Sequence, residues 1–442
     1  PDLSSTNLEL GYIFMGTIGK FRVWSDDLTN TGIATASAPT FTTEFAMTIA
    51  TTGANETFTI PCQNSGTFNA GIEWGDGSIS TVTSYNDASL THTYATAGDH
   101  LIRIRGSFPN IYFNNTGDKL KVKSVENLGI VGWTKLNFAF RGCTNLTSFT
   151  VGTTDTSSVT DMSSMFRSMA GLTSLDLSGF DTSSVTNMGI MFQQCTNLES
   201  LNVSSFDTSS VTAMNNVFYN CSSLTSLDVS NFDTSSVTMF TNMFKDCSSL
   251  TSLDVTNFDT SSASGNNGIQ GMFDRCSSLT SLDVSSFNTS SVTNFSSVFR
   301  RLTLTSLDVS NFDTSSATYL GYMFTDSNNL TSLDLSNFDT SSALSMREML
   351  NCSSLTSIVG AEDFDITSFN ATNSLTGFMD NNGKMTTAQY DALLVKWDAQ
   401  SVLSNLTANF GASQYTAGSA AATARANLIS SDGWTITDGG TA

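Results

Sequence analysis

The residues of this chain that could do chemistry are carboxylates and hydroxyls set out at a fixed period. One file of acids, Asp176, Asp228, Asp254, Asp283, Asp308 and Asp334, sits between the apolar positions of a recurring Leu-x-Val, with Asn202 breaking the run. A second file follows a recurring Phe: Asp155, Asp181, Asp207, Asp233, Asp259, Asp313, Asp339 and Asp365. Like charges at such spacing repel, so solvent, hydrogen bonds or cations must offset them. In the second file the phrase Asp-Thr-Ser-Ser suits an Asx-turn or N-cap, where carboxylate and hydroxyls satisfy local backbone N–H groups. Calcium bridging is the competing use, with Asp181, Asp207, Asp233, Asp259, Asp313 and Asp339 as its candidate ligands. In the first file, strand geometry points the acids away from the buried Leu and Val. Asp228, Asp254, Asp283, Asp308 and Asp334, flanked by Ser226, Ser252, Ser281, Ser306 and Ser332, are therefore candidate ligand-binding residues. Sugars are bound by such hydrogen-bonding arrays, usually beside an aromatic platform, and aromatics are scarce here; a merely solvated face is the plainer reading.

Catalysis has little to work with. The two histidines are His92 and His100, and there is no Gly-rich phosphate loop, His-x-x-x-His pair or Gly-x-Ser-x-Gly elbow. Ser and Thr abound, but an unactivated hydroxyl is a poor nucleophile. The chain is expected not to be an enzyme and to need no cofactor, calcium aside. Six of the seven cysteines, Cys143, Cys195, Cys221, Cys247, Cys276 and Cys352, occupy related positions. An interrupted register with an odd total fits a disulfide framework badly, and no Cys-x-x-Cys cluster suggests a metal. Buried free thiols acting as small hydrophobes are expected.

Composition narrows the partners. Charged residues make up 13% of the 442, yet the net charge is -21. Nucleic acid and anionic membrane both need a basic face, so neither is an expected partner. No stretch approaches the roughly 20 apolar residues of a membrane helix. The chain opens at Pro1 without an export signal, which reads as a processed or truncated product.

The elements that must position the acids are repeats. Phe180, Phe206, Phe232, Phe258, Phe287, Phe312, Phe338 and Phe364 recur every 26 residues, except for a spacing of 29 across the Gly265–Gln270 insertion and 25 in the next repeat. Such a period signals a solenoid, each repeat burying its apolar face against its neighbours. Leu224-x-x-Leu227-x-Val229-x-x-Phe232 carries the leucine-rich-repeat signature, with a short strand at 227–229. The Val-x-x-Phe/Met-x-x-Met-Phe-x-x-Cys run has helical or 3₁₀-like spacing and belongs on the opposite side. About nine rungs spaced roughly 4.8 Å apart predict a curved parallel sheet about 40 Å long.

The flanks divide the chain further. Residues 1–38 hold a strand-rich fragment that resembles the final strand of an upstream lectin-like jelly roll. Residues 39–106 alternate as a β-sandwich, with strand signals at 45–49, 57–61, 71–74, 81–84, 92–94 and 100–105. Trp74, Gly75, Asp76, Gly77, His92, Tyr94 and Gly98 match the hallmarks of the PKD-type immunoglobulin-like domain, whose members mostly serve as spacers or adhesion modules. Residues 107–142 form an N-terminal cap or transition, 143–380 the solenoid, and 381–442 a C-terminal α/β cap. In that last segment Thr386 and Gln389 form a capping box, and Ser419 caps a second helix.

The frame Met-Phe-x-x-Cys-x-x-Leu-x-x-Leu resembles the BspA-like leucine-rich-repeat surface proteins over more than half of the chain. Departures lie at Thr154, Asn288, Leu350, the insertion and the shortened repeat near Leu302. The fold expected is mainly β: a leucine-rich-repeat solenoid of short parallel strands, preceded by a PKD-like sandwich and closed by a small helical cap. The resemblance implies an extracellular adhesion or receptor-binding protein. A phage fibre or decoration protein on a virion is favoured; a bacterial cell-surface adhesin and a structural spacer or filament subunit are the alternatives. The expected partner is a cell-surface glycan or protein receptor, or further copies of the chain or virion proteins, without membrane insertion.

Overall fold

Alternating apolar residues from Phe45 onward set the first sheet. The computed structural model describes residues 43–379 and 383–442, so the fragment at 1–38 lies outside the described residues. Strands β1 (Phe45–Thr51), β2 (Glu56–Thr59), β3 (Asn69–Glu73), β4 (Ile79–Val82), β5 (Thr91–Tyr94) and β6 (Gly98–Ser107) lie where the alternation places them, within a few residues. β7 (Val122–Asn127) and β8 (Ser148–Phe149) complete a six-stranded sheet in the order β4-β3-β6-β1-β7-β8, while β2 pairs with β5. Phe45, Met47 and Ile49 bury one face of β1, and Trp74 and Tyr94 are wholly buried. Tyr94 Oη donates to the Trp74 carbonyl at 2.9 Å. Gly75, at φ 86°, passes so close to Leu101 that a Cβ would stand 2.7 Å from its backbone nitrogen, which accounts for glycine there.

β8 runs parallel to β7, and there the repeats begin. From Phe140 each coil lays a phenyl ring on the one before it. The rings of Phe140, Phe166, Phe192, Phe218, Phe244, Phe273, Phe299 and Phe324 follow at centroid distances of 5.6 to 6.3 Å, inclined by 3° to 17°. The second file, Phe206, Phe232 and Phe258, is equally buried and shares one setting. The Asn231 and Asn257 amides reach back to the carbonyls of Phe206 and Phe232 at 2.8 and 2.9 Å.

Two expectations are corrected. The Met-Phe side is not helical, although its apolar residues fall three and four apart. Ser164 and Ser168 have φ of 57° and 61°, Ile190 and Gln194 of 65° and 63°, and Asn216 and Asn220 of 56° and 59°. A left-handed residue at every fourth position cannot propagate a right-handed helix. The backbone turns outward instead: Ser164, Phe166 and Ser168 donate to Gly189, Met191 and Gln193 of the next coil at 3.1, 3.0 and 2.8 Å. On the opposite side the long curved sheet is replaced by small pairs. β9 (Ser174–Asp176) pairs with β10 (Ser200–Asn202), and β11 (Ser332–Asp334) with β12 (Ser357–Val359), all in parallel. The described chain is thus mostly β in small sheets, with two α-helices and no closed barrel.

Between those pairs a buried threonine holds the coils together. Thr156, Thr182, Thr208, Thr234, Thr260, Thr289, Thr314 and Thr340 each donate Oγ1 to a backbone carbonyl of the following coil at 2.8 or 2.9 Å. Thr234 donates to the Asp259 carbonyl and accepts the Asp259 N–H at 2.8 Å, so one hydroxyl satisfies both groups.

At the C-terminal end, α1 (Thr387–Asp398) starts at the Thr386/Gln389 capping box, and α2 (Ala420–Ser430) at Ser419. α1 buries Tyr390, Leu393, Leu394 and Trp397, with Trp397 5.7 Å from Phe410 and 6.0 Å from Phe378. The ladder does not stop at these helices. Leu350 bridges Met379, Met379 bridges Phe410, and β13 (Thr407–Asn409) pairs in parallel with β14 (Thr435–Thr437).

The threonine clamp gives a direct test. Thr234→Val keeps the shape but leaves the N–H and C=O of Asp259 without their partner, and should cost about 1–3 kcal/mol in urea unfolding. Thr234→Ser, which retains the hydroxyl, should lose well under half of that.

Candidate binding surfaces

Both acidic files turn out to be built the same way. In the second, Oδ1 of Asp155, Asp181, Asp207, Asp233, Asp259, Asp313, Asp339 and Asp365 accepts the N–H of the residue two positions on, at 2.8 to 3.1 Å. In the first, Asp176, Asp228, Asp254, Asp283, Asp308 and Asp334 do likewise at 2.9 to 3.0 Å. Each is an Asx-turn, which fixes the corner after the strand and the corner after the Phe. Asn202 and Asn288, which replace an Asp in each file, make the same bond to Ser204 and Ser290.

These bonds also stabilise the charge. The hydroxyl and then the N–H of Ser230 hold the Asp228 carboxyl below its ordinary value, and Thr256 and Ser285 do the same for Asp254 and Asp283. Neighbouring carboxylates push the other way: Asp283 and Asp228 on Asp254, Asp308 on Asp283, Asp334 on Asp308. Hydrogen bonding wins at each of these positions. Where Asn202 interrupts the file, its amide donates to Asp176 Oδ1 at 2.9 Å, so adjacent rungs are within direct reach.

Ser226, Ser252, Ser281, Ser306 and Ser332 stand exposed beside the exposed Asp228, Asp254, Asp283, Asp308 and Asp334. The array is regular and solvated. Calcium would need some six to eight oxygens in one place. Among the described residues no three or more His, Cys, Asp or Glu side chains gather as a metal site. The acids form lines and not clusters.

Other candidate chemistry is structural. His92 Nε2 lies 2.8 Å from Asp76 Oδ2, and its ring stacks on Trp74 at 5.0 Å. Burial opposes ionisation of Asp76, but the contacts with His92 and Ser78 outweigh it and hold the carboxyl down at about 2. All seven cysteines are free, and the six in register are buried. Sγ of Cys195, Cys221, Cys247, Cys276 and Cys352 lies 2.9 to 3.2 Å from the carbonyl of a Phe in the preceding coil, placing the thiol as donor. Ser327 fills the same place with its hydroxyl, 2.7 Å from the Phe299 carbonyl. Burial pushes the Cys195 and Cys247 thiols up to about 12, which leaves them unreactive.

Sequence reasoning missed the threonine clamp and the Asn231 and Asn257 reach-back. The signal was present, since Thr and Asn recur at fixed distances from Phe. Spacing alone did not show that they act between coils.

The carboxyl shifts set a pH dependence. Asp228, Asp254 and Asp283 titrate below their ordinary 3.8 when folded, so the folded chain binds fewer protons than the unfolded one in acid. Their contribution is fully present above about pH 5 and is lost as the pH falls through the depressed values. Melting temperature by circular dichroism should therefore drop below about pH 4. The triple variant Asp228→Asn, Asp254→Asn, Asp283→Asn, which lacks that contribution at every pH, should melt somewhat lower at neutral pH and show a shallower acid slope.

No curated protein matches the chain. A family model described as "Mycoplasma protein of unknown function, DUF285" matches four times, at residues 110–202, 134–227, 191–269 and 267–387. Together the matches run from 110 to 387, well over half of the 442 residues, and they coincide with the stacked coils. The chain belongs to this family of repeat proteins.

Proposed function

We propose that this chain is a non-enzymatic adhesion or receptor-binding protein displayed outside a cell or on a virion. In this reading the coils form a leucine-rich-repeat solenoid, and residues 39–106 a PKD-type spacer ahead of it. One observation carries it: Asp and Ser side chains of the coils form exposed files, one position per coil, over an apolar core that runs unbroken from Val159 to Leu355. Such a surface offers a long row of weak hydrogen-bonding positions, suited to an extended partner. The depressions beside α1 and α2, where Asp391, Lys396 and Ser419 stand, and beside Gly75, where Glu73, Ser78 and Arg103 stand, are open to solvent.

A bacterial cell surface is the second reading for the carrier, favoured by the cellular organism in the family's description. Genes flanking the coding sequence separate it from a virion fibre. A glycan array and a panel of host-surface proteins, probed with the full chain, test binding itself. The reading predicts a saturable ligand; a chain that binds nothing and meets only its own copies, laterally or end to end, is a spacer or filament subunit.

Calcium enters as a diffuse counter-ion, bridging carboxylates of neighbouring coils such as Asp207 and Asp233, which repel one another. Chelation should then lower the melting temperature by several degrees, and an unchanged transition removes calcium from the reading.

A further inference from the structure

The coils are nearly identical except along one edge. The residue after the stacked Phe reads Arg167, Gln193, Tyr219, Lys245, Asp274 and Arg300 in six successive coils. The next position, left-handed in each, reads Ser168, Gln194, Asn220, Asp246, Arg275 and Arg301. Elsewhere the Leu, Asp, Phe and Thr positions barely change, and each has a structural task described above. Positions that vary while the backbone stays fixed are released from that task.

Charge singles out the same edge. Of the six Lys and Arg of residues 143–380, five fall at these two positions, and the sixth, Arg347, stands on the same Met-Phe side three residues before Leu350. Four pair with acids on the same edge: Lys245 with Asp274, Arg275 with Asp246, Arg301 with Asp326 and Arg347 with Glu348. Arg167 and Arg300 make none of these pairs. Arg300 lies over the Tyr322 ring at 5.9 Å, as Lys245 does over Tyr219. The Nε–H groups of Arg167, Arg275 and Arg300 are buried without an acceptor. A buried donor without an acceptor is costly, and guanidinium groups match carboxylates in geometry. Tyr and Arg are also the residues that interfaces favour.

From this we infer that the Met-Phe edge, and not the Asp-Ser face, is the recognition surface, and that it takes a polypeptide carrying carboxylate side chains. This rests on the binding reading above and assigns its site. The edge differs in sign, size and aromaticity from one coil to the next. A repeating polysaccharide would be met by the same residue at every rung, whereas a polypeptide varies along its length as this edge does.

The test pans a random peptide display library against the immobilised full chain and probes a glycan array in parallel. Both are repeated with an Arg167→Gln, Arg300→Gln, Arg301→Gln variant and an Asp228→Asn, Asp283→Asn, Asp334→Asn variant, each checked for a cooperative thermal transition. Arg301→Gln alone replaces the triple variant if that transition is lost. The inference expects Asp- and Glu-rich peptides, bound about tenfold or more weakly by the Arg variant and equally by the Asp variant. Peptides without acidic enrichment, or acidic peptides unaffected by the Arg variant, overturn it. Glycans lost with the Asp variant overturn the site while leaving the binding reading intact, and glycans lost with the Arg variant overturn the polypeptide. Silence in both arms overturns the inference and counts against the binding reading as well.

Discussion

The structure depends on where the backbone of each coil finds its hydrogen bonds. A left-handed residue at every fourth position of the Met-Phe side denies the chain an internal helix, so N–H groups that would have closed a turn must reach the next coil. A non-glycine residue in that conformation costs about 1–2 kcal/mol, and Ile190, being β-branched, is an extreme case. The strain persists because every second residue of this side, as Met162, Ser164, Phe166 and Ser168 do, bonds to the next coil, over aligned Phe rings that exclude water. A single coil would have neither the bonds nor the dry face. Stability here is a property of neighbours.

The same logic explains the polar residues. In a thin stack, many side chains that a globular protein would spend on its surface are drafted into joining coils. Thr234 clamps the backbone ahead, Asn257 reaches the one behind, and Asp233 shapes the corner. Even the thiols act as donors, which is why Ser327 can stand in for one. The recurrence of Asp-Thr-Ser-Ser, with Asn288 as its one polar substitute for the Asp, is thereby accounted for by geometry.

Much of this was legible from residue types. The Phe period fixed which residues share a file, the odd interrupted Cys register pointed to free thiols, and Thr386-x-x-Gln389 marked the start of α1. The helical reading of the Met-Phe side failed because apolar spacing of three and four is produced equally by linked turns. Only φ tells them apart, and Ser164 or Asn216 does not announce it. The long sheet failed for a related reason: the short Leu-x-Val stretch ends at once in an Asx-turn, and side chains such as Thr234 take up the joining of coils. The Asx role of Asp228 could have been read, since Ser230 stands to it as Ser235 stands to Asp233. It was obscured by the exposed position of the file, which invited a ligand.

The parallel contact of β8 with β7 has a consequence for how such a chain comes to order. A lone rung has no template, and starting a stack from nothing is the expensive step in any one-dimensional assembly. Here the sheet of β4, β3, β6, β1 and β7, built from residues ahead of the repeats, offers the edge of β7 before the first repeat is made. Rungs can then be laid down in order from the amino-terminal side, as the ribosome delivers them. Because every later junction is alike, the number of rungs can grow or shrink over generations without disturbing the foundation on which they stand.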